Sequence, residues 1–408
     1  MQYDALIVGG GASGLMAACA LALRGRRVVL LEKQGRVGRK LLSTGNGRCN
    51  LTNLNARVSD YHGSRAAAQA ALRAWPPAKV LAFFEALGIP SAADEAGRVY
   101  PMSRQAASVL DALRLCCDEN GVETLTDFAV AKLERRDGAF EATSADGRAV
   151  RAKFALVAAG GLAAPKLGAC GDGCRLLEGF GHAIAPRFPA IAALKTPPQA
   201  VRGLKGIRAE VEIALLVDGE AVREEAGEVL FGEDGVSGIA AMQLARQANE
   251  ALRGGRRCEV RLNFMPGVNA EGALRARARK LSKRRMEDFL NGIVPKRLGQ
   301  ALVRAAGLEM AAPAGELAGA RLSALARRLN GWTLPVAGTQ GFDQAQVTAG
   351  GARLKDFDIR CMQSLRCPGL FAAGEVLDVD GDCGGFNLQW AWSSALMAAD
   401  GIDAALTK

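Results

Sequence analysis

The chain has 408 residues, 49% of them hydrophobic and 23% charged, which is the composition of a globular protein with ample material for a core. Its formal charge of +10 favours anionic partners but does not choose among phosphates, a nucleic acid and a membrane surface. The ten cysteines form no CxxC pair and the chain has two histidines, which argues against the usual His/Cys zinc sites.

Glycine is the unusual component, at 49 residues, or about 12% against a usual ~7%. Such a chain is expected to need close backbone approach at many positions, as cofactor-binding loops do. The cysteines are scattered and no cationic leader precedes the apolar N-terminal stretch, so the protein is predicted to be cytoplasmic. No segment of 18 clean apolar residues occurs, so no membrane span is predicted.

The first predicted unit is a strand, a glycine turn, a helix and a second strand. Tyr3–Val8 is an apolar strand, and Leu15–Leu23 is an apolar helix that Gly25 ends. Residues 27–31 form the second strand, which Glu32 follows directly. This order is typical of the beginning of a dinucleotide-binding domain, whereas an isolated glycine pattern would be weak evidence.

The turn between strand and helix reads GGGASG, which is a G-x-G-x-x-G pattern. Gly9 permits the tight turn, Gly11 lets the backbone approach a pyrophosphate, and Gly14 lets the helix pack on the strand. Glu32 is placed to accept hydrogen bonds from an unphosphorylated adenosine ribose, which favours FAD or NAD over NADP. The predicted cofactor contacts in this unit are Gly9, Gly11, Ala12, Ser13, Gly14, Glu32 and Lys33.

A polar, glycine-rich segment, GRKLLSTGNGRCNLTN, follows the second strand at residues 38–53. We interpret it as a loop that runs along the pyrophosphate and under the flavin ring, where basic side chains meet phosphate and amides meet the ring edge. A solvated loop is the alternative, and a packed thiol is the prediction for Cys49. The predicted cofactor contacts here are Arg39, Lys40, Leu41, Gly45, Asn46, Gly47, Arg48 and Asn50.

The C-terminal part repeats the theme of strand, glycine loop and helix. Pro368–Ala373 is a short apolar strand, and a helix is predicted from about residue 388 to residue 397. An ordinary strand–helix turn is the alternative, but one extended dinucleotide would explain the glycine loops at both ends of the chain. The predicted contacts here are Gly374, Glu375, Gly385, Phe386, Asn387 and Leu388.

These motifs, GRKLLSTGNGRCNLTN and GEVLDVDGDCGGFNLQWAWSSA, resemble those of the BaiN-type family of NAD(P)/FAD-dependent oxidoreductases. GRVYPMSRQAASVLDAL, ALVAAGG, GDG, GEVLFGEDGVSG and QVTAGG are also similar, so the resemblance runs from residue 4 to about 400. It implies an α/β fold: a Rossmann-like FAD-binding domain split by an insert with a β-barrel-like part and a small helical part. It also implies cofactor contacts at Val130, Ala159, Gly160 and Gly161.

The pattern of the middle of the chain agrees with such an insert. Alternating polar and apolar residues and an Asp-Gly turn predict hairpins over 206–232. Residues 271–329 are rich in alanine, leucine and arginine, which predicts helices. The predicted boundaries are a FAD-binding domain at 1–190 and 341–408, with the inserted domain at 191–340.

We therefore predict a FAD-dependent oxidoreductase that passes hydride from NADH or NADPH through flavin N5. The acceptor, an unsaturated or carbonyl-conjugated small molecule, is implied by the resemblance alone. A tRNA-modifying flavoprotein and a non-catalytic redox sensor remain alternatives. The first alternative rests on residues 275–285, which hold seven basic residues in eleven. We interpret this run as a solvated helix face. Nucleic acid is therefore not an expected partner. Catalytic residues and the oligomeric state stay open.

Overall fold

The structure, a computed structural model, describes residues 3–407. It divides into two compact units. The split unit consists of the described residues up to 188 together with those from 346 onward, and the inserted unit is Pro189–Ala345.

The helices and strands of the described residues are numbered in chain order. The helices are α1 Ala12–Ala22, α2 Arg39–Ser43, α3 Arg65–Ala74, α4 Pro77–Ala86, α5 Ala106–Glu119, α6 Asp172–Glu178, α7 Ile239–Gln243, α8 Ala245–Arg253, α9 Ala270–Lys280, α10 Met286–Phe289, α11 Lys296–Ala305, α12 Gly319–Gly331 and α13 Phe386–Leu406. The strands are β1 Tyr3–Val8, β2 Val28–Leu31, β3 Thr52–Asn53, β4 Tyr61–Gly63, β5 Ser91–Ala93, β6 Arg98–Pro101, β7 Glu123–Leu125, β8 Val130–Arg136, β9 Ala139–Ser144, β10 Ala149–Val157, β11 Phe188–Ala190, β12 Leu194–Lys195, β13 Arg208–Val217, β14 Glu220–Phe231, β15 Gly235–Ser237, β16 Cys258–Asn263, β17 Trp332–Val336, β18 Gly338–Thr339, β19 Val347–Ala349, β20 Phe357–Asp358, β21 Gln363–Ser364, β22 Leu370–Ala372 and β23 Val379–Gly381.

The main sheet of the split unit contains five parallel strands in the order β22-β10-β1-β2-β7. Val8 lies opposite both Leu31 and Val157, and Val157 lies opposite Ala372, so these strands end at a common edge. Because β1 has β2 on one side and β10 on the other, the connections diverge there and leave a crevice at the carboxyl ends of the strands. The predicted Rossmann-like sheet is confirmed.

Two apolar helices cover this sheet. Ten of the eleven residues of α1 are buried, which explains why its sequence shows no polar face. The helix α13 packs against α1 and begins two residues earlier than predicted, at Phe386, and extends to Leu406. Trp390 and Trp392 are buried in it, and their indole nitrogens donate to the carbonyls of Gly374 (3.0 Å) and Leu51 (2.9 Å). These two bonds hold the C-terminal helix onto both glycine-rich segments.

The inserted unit is built on a seven-stranded antiparallel sheet in the order β17-β16-β13-β14-β15-β12-β18. The hairpin β13–β14 turns at Asp218 (φ +54°) and Gly219 (φ +92°), as the Asp-Gly pair predicts. Helices α9 to α12 follow within the same unit. The chain is thus mixed α/β, with a parallel sheet and an antiparallel inserted sheet, while closure of the latter into a barrel stays a prediction.

The basic run at residues 275–285 is only partly helical, which corrects the interpretation of it as one helix face. Helix α9 ends at Lys280, and the chain then folds back against residues 312–315. Met286 N donates to Ala312 O (2.9 Å) and Ala314 N donates to Arg284 O (2.7 Å). These long-range bonds compete with continuation of the helix, and the local composition does not show them.

Within residues 3–407, no helix has both the length and the apolar character needed to cross a bilayer. The same part of the chain contains no cluster of three or more His, Cys, Asp or Glu side chains suited to a metal ion. All ten cysteines are free thiols, and most are buried.

A buried histidine is expected to make the stability of the split unit sensitive to pH. His182 is 3% exposed and its Nε2 lies 2.9 Å from Ser364 Oγ. That hydroxyl accepts from the backbone N–H of Arg366 and Cys367, so its proton points to Nε2, while the buried Nδ1 has no hydrogen-bond partner among the described residues. Burial lowers the pKa of His182, and the positive charge of Arg366 lowers it further. The negative charge of Asp356 raises this pKa but does not compensate.

We therefore expect the free energy of unfolding to fall as the pH drops below about 6.5. The folded pKa lies below the unfolded value, so the unfolded chain binds the extra proton first, and the loss is at most about 1.4 kcal/mol per pH unit. His182→Gln should be less stable at pH 8 but should show a flatter pH dependence in urea unfolding between pH 7.5 and 5.5. An unchanged slope in the variant would contradict the assignment to His182.

Candidate cofactor site

The carboxyl ends of the parallel strands bring predicted residues from distant parts of the sequence to one edge. Gly9 follows β1 and Glu32 follows β2, while Ala159 and Gly374 each stand two residues beyond the ends of β10 and β22. One cleft at this edge has a lining that includes five predicted residues, namely Gly9, Glu32, Lys33, Val130 and Ala159. It also includes Gly168 and Asp172, which sequence reasoning missed.

Glycine is present at three positions of the first turn for different physical reasons. Gly9 has φ +108°, and a Cβ there would lie 2.6 Å from Ala158 O. A Cβ on Gly14 would lie 1.8 Å from Gly9 O, so the helix could not approach the strand as it does. Gly11, the N-cap of α1, has nothing within 4 Å of its Cβ direction and faces open space in front of the helix N-terminus. Packing requires Gly9 and Gly14, whereas Gly11 leaves room for a ligand.

Glu32 is tied to the glycine turn as well as facing the cleft. Its Oε2 accepts from Gly10 N (2.8 Å) and its Oε1 accepts from Gln34 N (2.8 Å). Each carboxylate oxygen has further acceptor capacity, so both bonds are compatible with hydroxyl donors from a ribose. The sequence indicated the ligand role but not the role of holding Gly10, because that bond depends on how β2 ends beside the turn.

Lys33 forms a small charged cluster at the rim of the cleft. Its Nζ lies 3.3 Å from Asp172 Oδ2 and is hydrogen-bonded to the Cys170 thiol. Burial lowers the pKa of Lys33, but the thiol and the Asp172 carboxylate outweigh this effect, so the net pKa is raised. Arg175, on α6, donates to the carbonyls of Val130 (3.3 Å) and Ala131 (2.8 Å) and so fixes the strand that carries Val130. The GDG motif at 171–173 was the available signal for this cluster.

The segment 38–53 is not a simple loop, because it contains the short helix α2 and a tight turn at Thr44–Gly47 in which Gly45, Asn46 and Gly47 have positive φ. Arg39 bonds to Gln34 Oε1, and Lys40 Nζ lies 2.6 Å from Glu375 Oε2. Leu41 is buried in the core. The predicted contacts of Arg39 and Lys40 with phosphate therefore stay predictions.

Glu375 joins three of the predicted segments. Besides the pair with Lys40, its Oε1 accepts from Thr348 N (2.9 Å), and Thr348 Oγ1 accepts from Leu162 N (2.7 Å) and Ala163 N (2.9 Å). A Cβ on Gly161 would lie 2.5 Å from Thr348 Oγ1 and 2.8 Å from Glu375 Oε1, whereas Gly160 (φ +71°) faces open space. Thr348 was not predicted, although it lies in the QVTAGG motif.

The C-terminal glycine loop packs directly on the segment 38–53. Gly385 has φ +101°, and a Cβ there would lie 2.6 Å from the Thr52 backbone and 2.8 Å from Asn50 Oδ1. That Asn50 oxygen is buried and has no hydrogen-bond partner among the described residues. Asn387 fixes the loop, since its side chain accepts from Gly381 N (2.8 Å) and donates to Gly381 O (2.7 Å). Phe386 and Leu388 are half-buried at the start of α13.

Ser13 connects the first turn to the C-terminal motif, because a Cβ on Gly374 (φ +77°) would lie 2.2 Å from Ser13 Oγ. Ala12 begins α1 beside it.

The tip of the segment is exposed at Asn46, Gly47 and Arg48. The Arg48 guanidinium lies 5.7 Å from the centre of the Tyr100 ring. Cys49 is fully buried, and burial raises its pKa to about 12, so it is a packed thiol, as predicted.

The chain matches the HI0933-like protein Rossmann domain family over residues 3–401. It belongs to this family. It is 36% identical over 398 residues to a 3-dehydro-bile acid delta(4,6)-reductase from Clostridium scindens, with 96% of this chain and 97% of that protein covered. The predicted BaiN-type resemblance is confirmed, and with it the assignment to the FAD-dependent oxidoreductases.

Two further relatives of this chain are named for a reaction on RNA. They are ribosomal RNA dihydrouridine synthases from Haemophilus influenzae and Escherichia coli, each 28% identical to this chain, over 407 and 410 residues respectively. A solved 3-ketosteroid delta1-dehydrogenase from Sterolibacterium denitrificans has a TM-score of 0.52 at 14% identity, covering 99% of this chain and 100% of its own. A flavocytochrome c3 fumarate reductase in its open conformation has a TM-score of 0.50 at 16% sequence identity, covering 100% of this chain and 79% of its own. These two structures show the fold alone.

Proposed function

We propose that this protein binds FAD along the carboxyl edge of its parallel sheet and reduces a carbon–carbon double bond conjugated with a carbonyl group. The observation that carries the proposal is the convergence of three glycine-rich segments on that edge, those that contain Gly9, Gly160 and Gly374. Gly11 also leaves open space in front of the N-terminus of α1. In the same proposal, residues 1–190 and 341–408 form one FAD-binding domain around an insert at 191–340. The division into two compact units supports these boundaries.

The residues fit a flavin dinucleotide. The free N–H groups beyond Gly11 would meet the pyrophosphate, Glu32 would accept from the ribose hydroxyls, and the backbone near Val130 would meet adenine. Asn50 Oδ1 is a buried acceptor without a partner, which a ring N–H or a ribityl hydroxyl would satisfy. Bound FAD would supply hydride transfer, a chemistry that no amino-acid side chain offers.

The acceptor class follows from the chemistry that the names of the relatives share. A 3-oxo steroid with a double bond at carbon 4 is a conjugated enone, and the double bond of uracil that dihydrouridine lacks is also conjugated with a carbonyl. Reduction adds a hydride to the carbon farther from the carbonyl and a proton to the nearer one. NADH or NADPH would supply the hydride and become the oxidised nicotinamide. The higher identity to the bile-acid reductase favours a small enone acceptor.

A second candidate is the reduction of uridine in RNA. The specific observation in its favour is the formal charge of +10, because a polyanionic substrate would profit from it. The alternative drawn from the sequence was a tRNA-modifying enzyme, whereas the relatives named for RNA act on ribosomal RNA.

The decisive experiment is anaerobic turnover of the FAD-loaded protein. NADH or NADPH should bleach the flavin absorbance, and a 3-oxo-4-ene steroid should then restore it, whereas the matched saturated 3-oxo steroid should not. Uridine-containing RNA in place of the steroid tests the second candidate. Failure of both nicotinamides to bleach the flavin would contradict the proposed donor. Failure of every conjugated acceptor after dithionite reduction would contradict the reductase itself and favour a redox sensor.

A further inference from the structure

Most of the net positive charge of the chain arises from one short part of the inserted unit. Residues 270–331, which contain α9 to α12, hold 13 lysines and arginines against five acidic residues. This excess of eight compares with +10 for all 408 residues. Cations from three separate helices thus gather in a stretch of 62 residues, which the basic run at 275–285 alone did not reveal. We call residues 270–331 the basic helical segment.

Three of the basic residues of this segment donate hydrogen bonds to backbone carbonyls. Arg277 donates to Phe289 (2.7 Å) and Asn291 (2.6 Å). Arg328 donates to Ala305 (3.1 Å), and Arg297 donates to Gly203. The other ten are exposed: Arg275, Arg279, Lys280, Lys283, Arg284, Arg285, Lys296, Arg304, Arg321 and Arg327.

Few carboxylates neutralise these exposed cations. Arg275 pairs with Glu271 (2.9 Å), Arg285 with Glu287 (3.0 Å) and Lys296 with Asp288 (2.9 Å). Within the described part of the chain, none of the remaining seven has a carboxylate within ion-pair distance. A solvated face of an ordinary helix interleaves both signs of charge, whereas most of the exposed cations of this segment have no acidic partner.

The cations stand on a fixed backbone rather than on a mobile tail. Gly315 N donates to Ser282 O (2.8 Å) and Ala314 N donates to Arg284 O (2.7 Å), so the turn that carries Lys283 and Arg284 is bound to the chain on both sides. Arg275 and Arg279 lie one turn apart on α9 and are both exposed, whereas Leu274 and Ala278 are buried. A preorganised array loses less conformational entropy on binding.

We propose that the basic helical segment is a docking surface for folded RNA, contacted through its phosphates. Many exposed cations held by one folded segment suit the many negative charges of a nucleic-acid backbone better than a single small anion. The one aromatic residue of the segment, Phe289, is buried, so stacking on unpaired bases is not available and duplex regions are the expected target. None of the large exposed hydrophobic residues of the described chain falls in the segment, which disfavours insertion into a lipid surface.

The test is fluorescence anisotropy of a labelled RNA hairpin with the FAD-loaded protein over a range of salt. In the variant R279Q/K280Q/K283Q/R284Q, the Kd should rise about tenfold or more, and the plot of log Kd against log salt should become shallower by up to ~0.9 for each lost phosphate contact. The control R73Q/K79Q/R114Q/R135Q removes the same charge from exposed residues of the split unit and should keep most of the affinity. Unchanged FAD content and melting temperature exclude unfolding in either variant.

Equal weakening by both variants would overturn the proposal, because net charge would then explain binding. Loss of binding in neither variant would also overturn it. Vesicles containing phosphatidylserine provide the remaining arm: binding to them that is tighter than to RNA and lost in the first variant would assign the surface to lipid instead. The proposed reductase activity is independent of these outcomes, because small enone acceptors need no RNA.

Discussion

Replacing Glu32 with alanine is expected to weaken FAD binding by about one to two decades. The variant loses a charge-assisted acceptor for the ribose hydroxyls, worth roughly 1.5–3 kcal/mol, at 1.4 kcal/mol per decade. It also loses the bonds from Gly10 N and Gln34 N, both 2.8 Å, the first of which holds the glycine turn in place. The measurement is a flavin titration of the apoprotein.

Two further variants separate the effects at Glu32. Glu32→Gln keeps one acceptor oxygen without the charge and should show an intermediate loss of affinity. Glu95→Ala removes an exposed carboxylate elsewhere in the split unit and should bind FAD like the wild type. If Glu32→Ala melts at a lower temperature without FAD but titrates with unchanged affinity, Glu32 supports the turn and does not face the ribose.

The parts of the fold that the sequence predicted are those that local patterns determine. The apolar run of Tyr3–Val8, the glycines of the turn and the apolar run of α1 all lie within the first 22 residues, so local sequence patterns predict all three. The common edge at Gly9, Glu32 and Ala159 follows as well, because parallel strands placed side by side end together.

The parts that could not be predicted depend on contacts between distant residues. Lys40 and Glu375 are 335 residues apart, so no local pattern could predict their ion pair. Thr348 reaches Gly161 only because β10 and the C-terminal segment converge at the same edge. The end of α9 at Lys280 is likewise set by backbone bonds to residues 312–315, which no helix propensity contains.

Replacing Gly47 with valine is expected to abolish most FAD binding, with a loss of about two decades or more, while the protein still folds. Gly47 has φ +82° and nothing within 4 Å of its Cβ direction, so a side chain would enter open space rather than a packed core. If that space admits the cofactor, a β-branched residue blocks the close approach of the backbone. Gly45 is unsuitable for this test, because a Cβ there would lie 2.9 Å from Asn50 N and would disturb the fold itself.

Gly88 offers a matched control for this substitution, with φ +80° and likewise nothing within 4 Å, at the end of α4. Valine at either position carries a similar strain of about 1–2 kcal/mol from the left-handed conformation, so both apoproteins should melt at similarly lowered temperatures. A ligand that binds the folded state raises the melting temperature by mass action. Excess FAD should therefore stabilise the wild type and Gly88→Val but leave Gly47→Val nearly unshifted. If Gly47→Val is stabilised by FAD as fully as Gly88→Val, the segment 38–53 does not line the cofactor, and its glycines serve only the turn that they build.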